Sequence, residues 1–224
     1  MAKFGNPFII IIHSKMKTLQ ELLNKNGANL KADGIIGPKS TEALANYIGN
    51  ELKKRKWLPQ YHGIVWLRTD DKLTNKFDDF CVVYKYGQIV YVCPASTTAG
   101  DFYIYNPFTV GGITGTAVPI EQQVVGSHRF VTGANWSNLW GKAPYFQQVL
   151  PITIYRDGNK DRQIDQKITQ FGLFGINFHR AGLGDWVNKW SAGCQVVPDR
   201  HWFEIVKRFN QGQTIDFTLF CTFG

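Results

Sequence analysis

His179 and Cys194 are the two side chains of this sequence whose types and setting best suit covalent chemistry. A thiol becomes a nucleophile when a neighbouring base or positive charge draws off its proton. His179 closes an apolar, strand-like run, Phe174-Gly175-Ile176-Asn177-Phe178, and Arg180 follows it directly. Cys194 follows a turn of small residues, Ser191-Ala192-Gly193, and opens a second run, Gln195-Val196-Val197. Two such strands side by side would bring imidazole and thiol together. The backbone N–H groups of Ala192, Gly193 and Cys194 would then converge on the oxyanion formed by attack on a carbonyl. The bland alternative is a thiol that only packs, since free cysteine is among the most buried residue types. Should His179 not be the base, His128, His201 and Arg180 are the next partners to consider.

His179 followed by Ser191-Ala192-Gly193-Cys194 resembles the catalytic motif of the L,D-transpeptidases, a His at a strand end, a loop, then Ser-His-Gly-Cys. Ala192 stands where that family has a second His, and Arg180 where it often has a small residue. Fifteen positions separate His179 from Cys194, which makes the covering loop compact. The run from Tyr84-Lys85-Tyr86-Gly87-Gln88-Ile89-Val90 through Pro94-Ala95-Ser96-Thr97-Thr98 resembles the family's first hairpin. The resemblance spans about residues 60–224 and marks a divergent branch. It implies a peptidoglycan-acting cysteine enzyme that forms an acyl-enzyme on Cys194, cuts a stem-peptide amide next to a D-centre, and requires no cofactor.

A second motif lies upstream. Leu19-Gln20-x-x-Leu23, then Asp33-Gly34-x-x-Gly37-Pro38-x-Ser40-Thr41-x-Ala43-Leu44, resembles over residues 14–50 the small helical peptidoglycan-binding module of wall hydrolases. Gly34 and Gly37 permit positive φ, and Pro38 suits the first turn of a helix. The resemblance implies wall contact near Asp33, Gly34, Gly37 and Pro38. A plain helical hairpin, serving as spacer or dimer contact, is the alternative. A third motif, Asp157-Gly158-Asn159-Lys160-Asp161-Arg162-Gln163-Ile164-Asp165, is similar to the front of a calcium loop through Asp157, Asn159, Asp161 and Asp165. It lacks the glycine and glutamate such loops carry further on, so a polar hairpin turn between Tyr155 and Ile164 is favoured over Ca²⁺ binding.

The remaining pattern shows what must position these residues. Leu19, Leu22 and Leu23, and Ala43, Leu44, Tyr47 and Ile48, predict two helices within 17–48. Ile64–Leu67, Cys81–Tyr84, Ile89–Val92, Leu150–Tyr155 and Phe217–Phe223 read as strands, with a hairpin at Lys85–Gln88. Pro198–Arg208 reads as a short helix, and the Gly-rich middle, 100–148, has few helical signals. The expected fold class is α+β: a helical module over 1–50, a linker over 51–59, and a mainly-β catalytic domain over 60–224. Phe8–Ile12 is too short to span a membrane or serve as a signal peptide, and reads as a strand or packing tail. The expectation is therefore a monomer held in a host cytoplasm and released to the wall, like a phage endolysin. With 44% hydrophobic and 14% aromatic residues the chain can bury a core, and disorder is excluded. A net charge of +8 suits an anionic partner. Bacterial peptidoglycan fits; no recognised nucleic-acid motif is present. Cys81, Cys93, Cys194 and Cys221 form no C-x-x-C pair, which argues against structural zinc. Two competing functions stay open, an L,D-transpeptidase that cross-links stems and a non-catalytic wall-binding or virion protein.

Overall fold

The computed structural model describes residues 7–132, 143–164 and 169–222. It opens with helices α1 (Pro7–Lys25) and α2 (Pro38–Arg55), then strands β1 (His62–Arg68), β2 (Asp79–Lys85) and β3 (Gln88–Ala95), and a short helix α3 (Asp101–Tyr105). Strands β4 (Thr109–Val110), β5 (Ile113–Thr114), β6 (Thr116–Pro119), β7 (Gln122–Val131), β8 (Tyr145–Gln148), β9 (Ile152–Asp157), β10 (Thr169–Gly172) and β11 (Phe178–Arg180) follow. A 3-10 turn (Asn188–Trp190), β12 (Gln195–Val197), helix α4 (Asp199–Val206) and β13 (Thr214–Cys221) complete the described chain. This is a mainly-β α+β fold with two helices in front.

Eight strands form one sheet in the order β12-β11-β8-β7-β13-β1-β2-β3. Its two edges meet where Ser96 and Val196 exchange backbone hydrogen bonds of 2.8 and 2.9 Å, so the sheet curls into a barrel. Closure removes the exposed edges that invite pairing with other chains. Ile64, Trp66, Cys81, Val83, Phe178, Val197 and Phe217 share the interior core with Trp202 and Ile205 of α4. The alternate residues Val65, Leu67, Phe80 and Val82 point outward and are equally buried, because α1 and α2 lie over them. Burial on both faces is why β1 and β2 read as unbroken apolar runs. The hairpin between β2 and β3 turns through Tyr86 (φ 52°) and Gly87 (φ 75°). Two successive positive-φ residues give the tight turn that matches strand twist.

The helices present Leu19 and Leu23, and Leu44, Ile48 and Leu52, at the four-residue spacing of one helical stripe. Pro38 opens α2, and Lys56, in the left-handed region, closes it by donating its N–H to Leu52 O and Lys53 O. Lys53, Lys54 and Arg55 in the last turn complement the helix dipole. Arg55 also pairs with Glu121 at 2.6 Å and lies over the Phe220 ring, tying the helix end to the barrel.

Three sequence expectations change. Phe8–Ile12 belongs to α1 and is neither strand nor tail. Glu51–Arg55 continues α2, so only Lys56–Tyr61 connects helix to barrel. The middle region contains a ten-residue strand, β7, and the short helix α3. The strand expected over Phe217–Phe223 is β13, which begins three residues earlier, at Thr214. Because helices and barrel share a core, unfolding should be a single transition. Leu19→Ala, at a fully buried position, should cost roughly 2–5 kcal/mol, measured by denaturant titration. Two transitions, with only one shifted, would contradict the shared core.

Candidate active site

Strands β11 and β12 run parallel, with Phe178 level with Gln195 and His179 level with Val196. The Gln195 N–H donates to Asn177 O at 3.1 Å, so Cys194 lies level with Asn177. His179 and Cys194 therefore share one sheet face, offset diagonally by two residues. At ordinary strand spacing and rise such a pair has its Cα atoms about 8 Å apart. Phe178 and Val197 point the other way, into the barrel. The site face is outside it, where Trp190 and Cys194 pack against a cluster of Phe77, Ala181, Val187 and Val196.

His179 is buried, at 2% exposure. Its Nδ1 lies 2.8 Å from Arg180 O. A carbonyl can only accept, so Nδ1 carries the proton and Nε2 keeps its lone pair. Burial, helped by the Arg180 charge and opposed by the carbonyl, pushes this imidazole down to about 4. Cys194 is partly exposed, yet the protein packed around its Sγ pushes the thiol up to about 11, against the pull of the Asn177 N–H. At neutral pH the pair thus rests as thiol and neutral imidazole, the state suited to general-base activation rather than a standing ion pair. The sulfur donates to Gly175 O and accepts from Asn177 N, both at 3.4 Å.

The turn before Cys194 is clamped by Ser191, which is buried. Its Oγ donates to Cys194 O at 2.7 Å and accepts from Gly193 N at 3.0 Å. The Gly193 N–H is therefore committed to the turn, which corrects the expectation that it faces an oxyanion. The N–H groups of Ala192 and Cys194 remain for that role, while the Asn177 N–H donates to the Cys194 sulfur. Gly193 has φ 132°, and a Cβ there would sit 2.5 Å from Ala117 O of β6. Gly193→Ala should lower thiol-dependent activity at least tenfold and lower stability, since both the backbone conformation and the contact resist it. Parent-like activity and melting would show the turn to be more pliant than this.

Arg180 contributes its carbonyl; its guanidinium pairs with Asp199 at 2.7 Å and anchors β11 to α4. His128 lies inside the barrel against Phe178, and His201 bonds Tyr91 at 2.8 Å. The tail of the first hairpin also reaches the site. Ser96 pairs with Val196, and Gly100 N donates to Ser191 O at 3.0 Å. Sequence reasoning missed Asn75, whose Oδ1 accepts from the N–H groups of Asn188 and Asp101 at 2.6 and 3.2 Å and holds the covering loop. It also missed Gln148 and Asn177. Polar residues of this kind carry no periodic signal.

In the helical hairpin, Gln20 is buried. Its Nε2 donates to Asp33 Oδ1, Ile35 O and Ser40 Oγ at 3.2, 3.0 and 3.2 Å, and its Oε1 accepts from Gly34 N at 2.7 Å. Asp33, Gly34 and Ser40 thus build the turn. Beside it, Gln20, Asn29, Lys31, Ile35, Gly37, Pro38 and Lys39 line a groove of about 340 Å³. In the acidic motif the side chains hold a turn. Asp157 Oδ1 accepts from Lys160 N at 3.1 Å, and Asp161 Oδ1 from Gln163 N at 2.8 Å, while Asn159 Nδ2 donates to Asp161 Oδ2 at 2.7 Å. Asp165 lies outside the described residues. Among the described residues no group of three or more His, Cys, Asp or Glu is placed to hold a metal ion. Ile164 pairs with Asp71 instead of returning along β9. No described helix is long and apolar enough to cross a membrane.

The sequence matches no protein-family model and no curated protein sequence. Among solved structures it is similar to the L,D-transpeptidase (residues 123–326) from Xylanimonas cellulosilytica, at 16% identity and TM-score 0.29, covering 92% of this chain and 93% of that one. It is also similar to the L,D-transpeptidase from Stackebrandtia nassauensis, at 11% identity and TM-score 0.36, covering 93% and 91%. A fused zinc-dependent amidase/peptidase with a peptidoglycan-binding domain from Clostridium acetobutylicum gives 13% identity and TM-score 0.29, covering 92% and 95%. Likeness at this level leaves the chemistry to the site's own geometry.

Proposed function

We propose that this protein is a cysteine acyl-transfer enzyme that hydrolyses peptidoglycan stem peptides, acting at the bacterial wall in the manner of an endolysin. The carrying observation is the β11/β12 register, which sets His179 and Cys194 on one face with His179 Nδ1 committed to Arg180 O. The substrate class rests on the motif resemblance of Ser191-Ala192-Gly193-Cys194.

In this reading His179 Nε2 takes the thiol proton as Sγ attacks the scissile carbonyl carbon, and the Gly175 O contact to that proton is given up. The Asn177 N–H steadies negative charge on sulfur. The tetrahedral oxyanion collapses to a thioester as His179 returns its proton to the leaving amine. Water then attacks the thioester with His179 again as base, releasing the carboxylic acid and the thiol. The groove beside Lys31, Ile35 and Lys39 serves wall contact. No metal or other cofactor takes part in these steps.

Mass spectrometry of muropeptides after incubation with the protein tests the proposal. Shortened stems support it. Joined stems assign cross-linking by transfer to an amine, and unchanged masses with intact sacculus binding indicate a non-catalytic wall protein. Wall contact is tested separately by sacculus sedimentation of Lys31→Glu and Lys39→Glu. Removal of residues 1–50 is unsuitable, because it would bare Val65, Leu67, Phe80 and Val82.

A further inference from the structure

We infer that His128, from inside the barrel, is a positioning residue that aims the Asn177 N–H at the Cys194 sulfur. The inference rests on the acyl-transfer reading only for its kinetic arm. His128 is fully buried and stacks on Phe178 with ring centroids 3.7 Å apart. Its Nε2 lies 2.7 Å from Ile176 O, and its Nδ1 lies 2.8 Å from Ser127 Oγ. The carbonyl can only accept, so Nε2–H donates to it, and Nδ1 accepts the Ser127 hydroxyl proton. Burial holds this imidazole neutral, down to about 3.

Ile176 C=O and Asn177 N–H belong to one planar trans peptide, whose two polar ends point in opposite directions. One end is held by His128; the other donates to Cys194 Sγ at 3.4 Å. The preceding peptide repeats the device. Its Ile176 N–H donates to Gln148 Oε1 at 2.9 Å, and its Gly175 C=O accepts the thiol proton. Gln148 N also donates to Asn177 Oδ1 at 2.9 Å. Gly175, with φ 70°, supplies the bend that lets two successive peptides face the sulfur. Fixing one end of a peptide fixes the other, so His128 acts on a thiol it does not touch. The chain His128 N–H to Ile176 C=O to Asn177 N–H to sulfur also polarises in the direction that favours thiolate. His179 shares the sheet face of the thiol.

Gln and Met are close in volume and differ in the ability to donate, so His128→Gln and His128→Met make the comparison. The readout is the alkylation rate of Cys194 by iodoacetamide against pH, followed by mass spectrometry of the Cys194 peptide because Cys221 is also partly exposed. His128→Met should react about tenfold more slowly at pH 7, with the profile displaced about one pH unit upward and equal rates at high pH. His128→Gln should stay within about threefold of the parent, since its amide still donates. On muropeptides, His128→Met should lower kcat and leave KM within about twofold. Equal behaviour of the two variants, whether parent-like or equally impaired, would overturn the inference. If His128→Met does not fold, His128→Phe keeps the stack on Phe178 without a donor and takes its place. Alkylation needs no substrate, so absence of muropeptide turnover in the parent would count against the acyl-transfer reading alone.

Discussion

Cys194→Ala is expected to remove muropeptide turnover by a factor on the order of 10³ or more while leaving the fold intact. In the acyl-transfer reading the loss follows from deleting the sulfur that forms the thioester, and removal of a nucleophile cannot be offset by its partners. The fold should hold because the sulfur is partly exposed and its two hydrogen bonds are long, at 3.4 Å. The turn is built by Ser191 Oγ and the Cys194 backbone, both of which survive the substitution. Stability should change by under about 1 kcal/mol. Near-parent turnover in a well-folded variant would end the assignment. Loss of the cooperative melt would instead make the thiol structural.

His179→Gln should lower the neutral-pH alkylation rate of Cys194 at least tenfold and restore it near pH 11, where the thiol ionises unaided. In the parent, turnover should rise as pH increases through about 4, where His179 loses its proton, and stay level through neutrality. The variant should lack that acid limb. A linked effect on stability has the same window. Between pH 6.5 and about 4 the unfolded chain binds a proton at this imidazole and the folded chain does not. Acid therefore favours unfolding, and this contribution to stability rises with pH until it levels near 6.5. His128 and His201, down to about 3 and about 4, act in the same sense. Asp79, pushed up to about 6 by burial and by Asp78, acts in the opposite sense. The parent's acid loss should therefore exceed that of His179→Gln, as measured by denaturant midpoints across pH 4–7. Parent-like alkylation of the Gln variant at neutral pH would remove His179 as base. Arg180, whose guanidinium pairs with Asp199, is then the next partner to test.

Much of this molecule was legible in the residues themselves. The unbroken apolar runs at Ile64–Leu67 and Cys81–Tyr84 announced strands because both of their faces are buried, and Tyr86-Gly87 announced the turn from the second run into Ile89–Val92 because tight hairpins demand positive φ. The leucine stripe of Leu19 and Leu23 announced an apolar helix face. The small-residue turn before Cys194 was legible because its backbone takes a positive φ at Gly193. These are local constraints, and a local pattern records them.

What the tertiary structure decided depends on partners far apart in sequence. Nothing local says that Ser96 and Val196 close a barrel, since edge pairing is a matter of where two strands end in space. The leucine stripe could not announce that its partners are Val65 and Phe80, so module and barrel looked separable when they share one core. The Gly193 N–H looked free for an oxyanion until Ser191 Oγ was seen to take it. The neutral resting state of His179 and Cys194 is likewise a property of their burial, because the cost of a charge depends on what surrounds it and not on the residue that bears it. Residue types and spacing thus determined which groups are able to react. Packing decided which backbone dipoles face them and in what protonation state they wait.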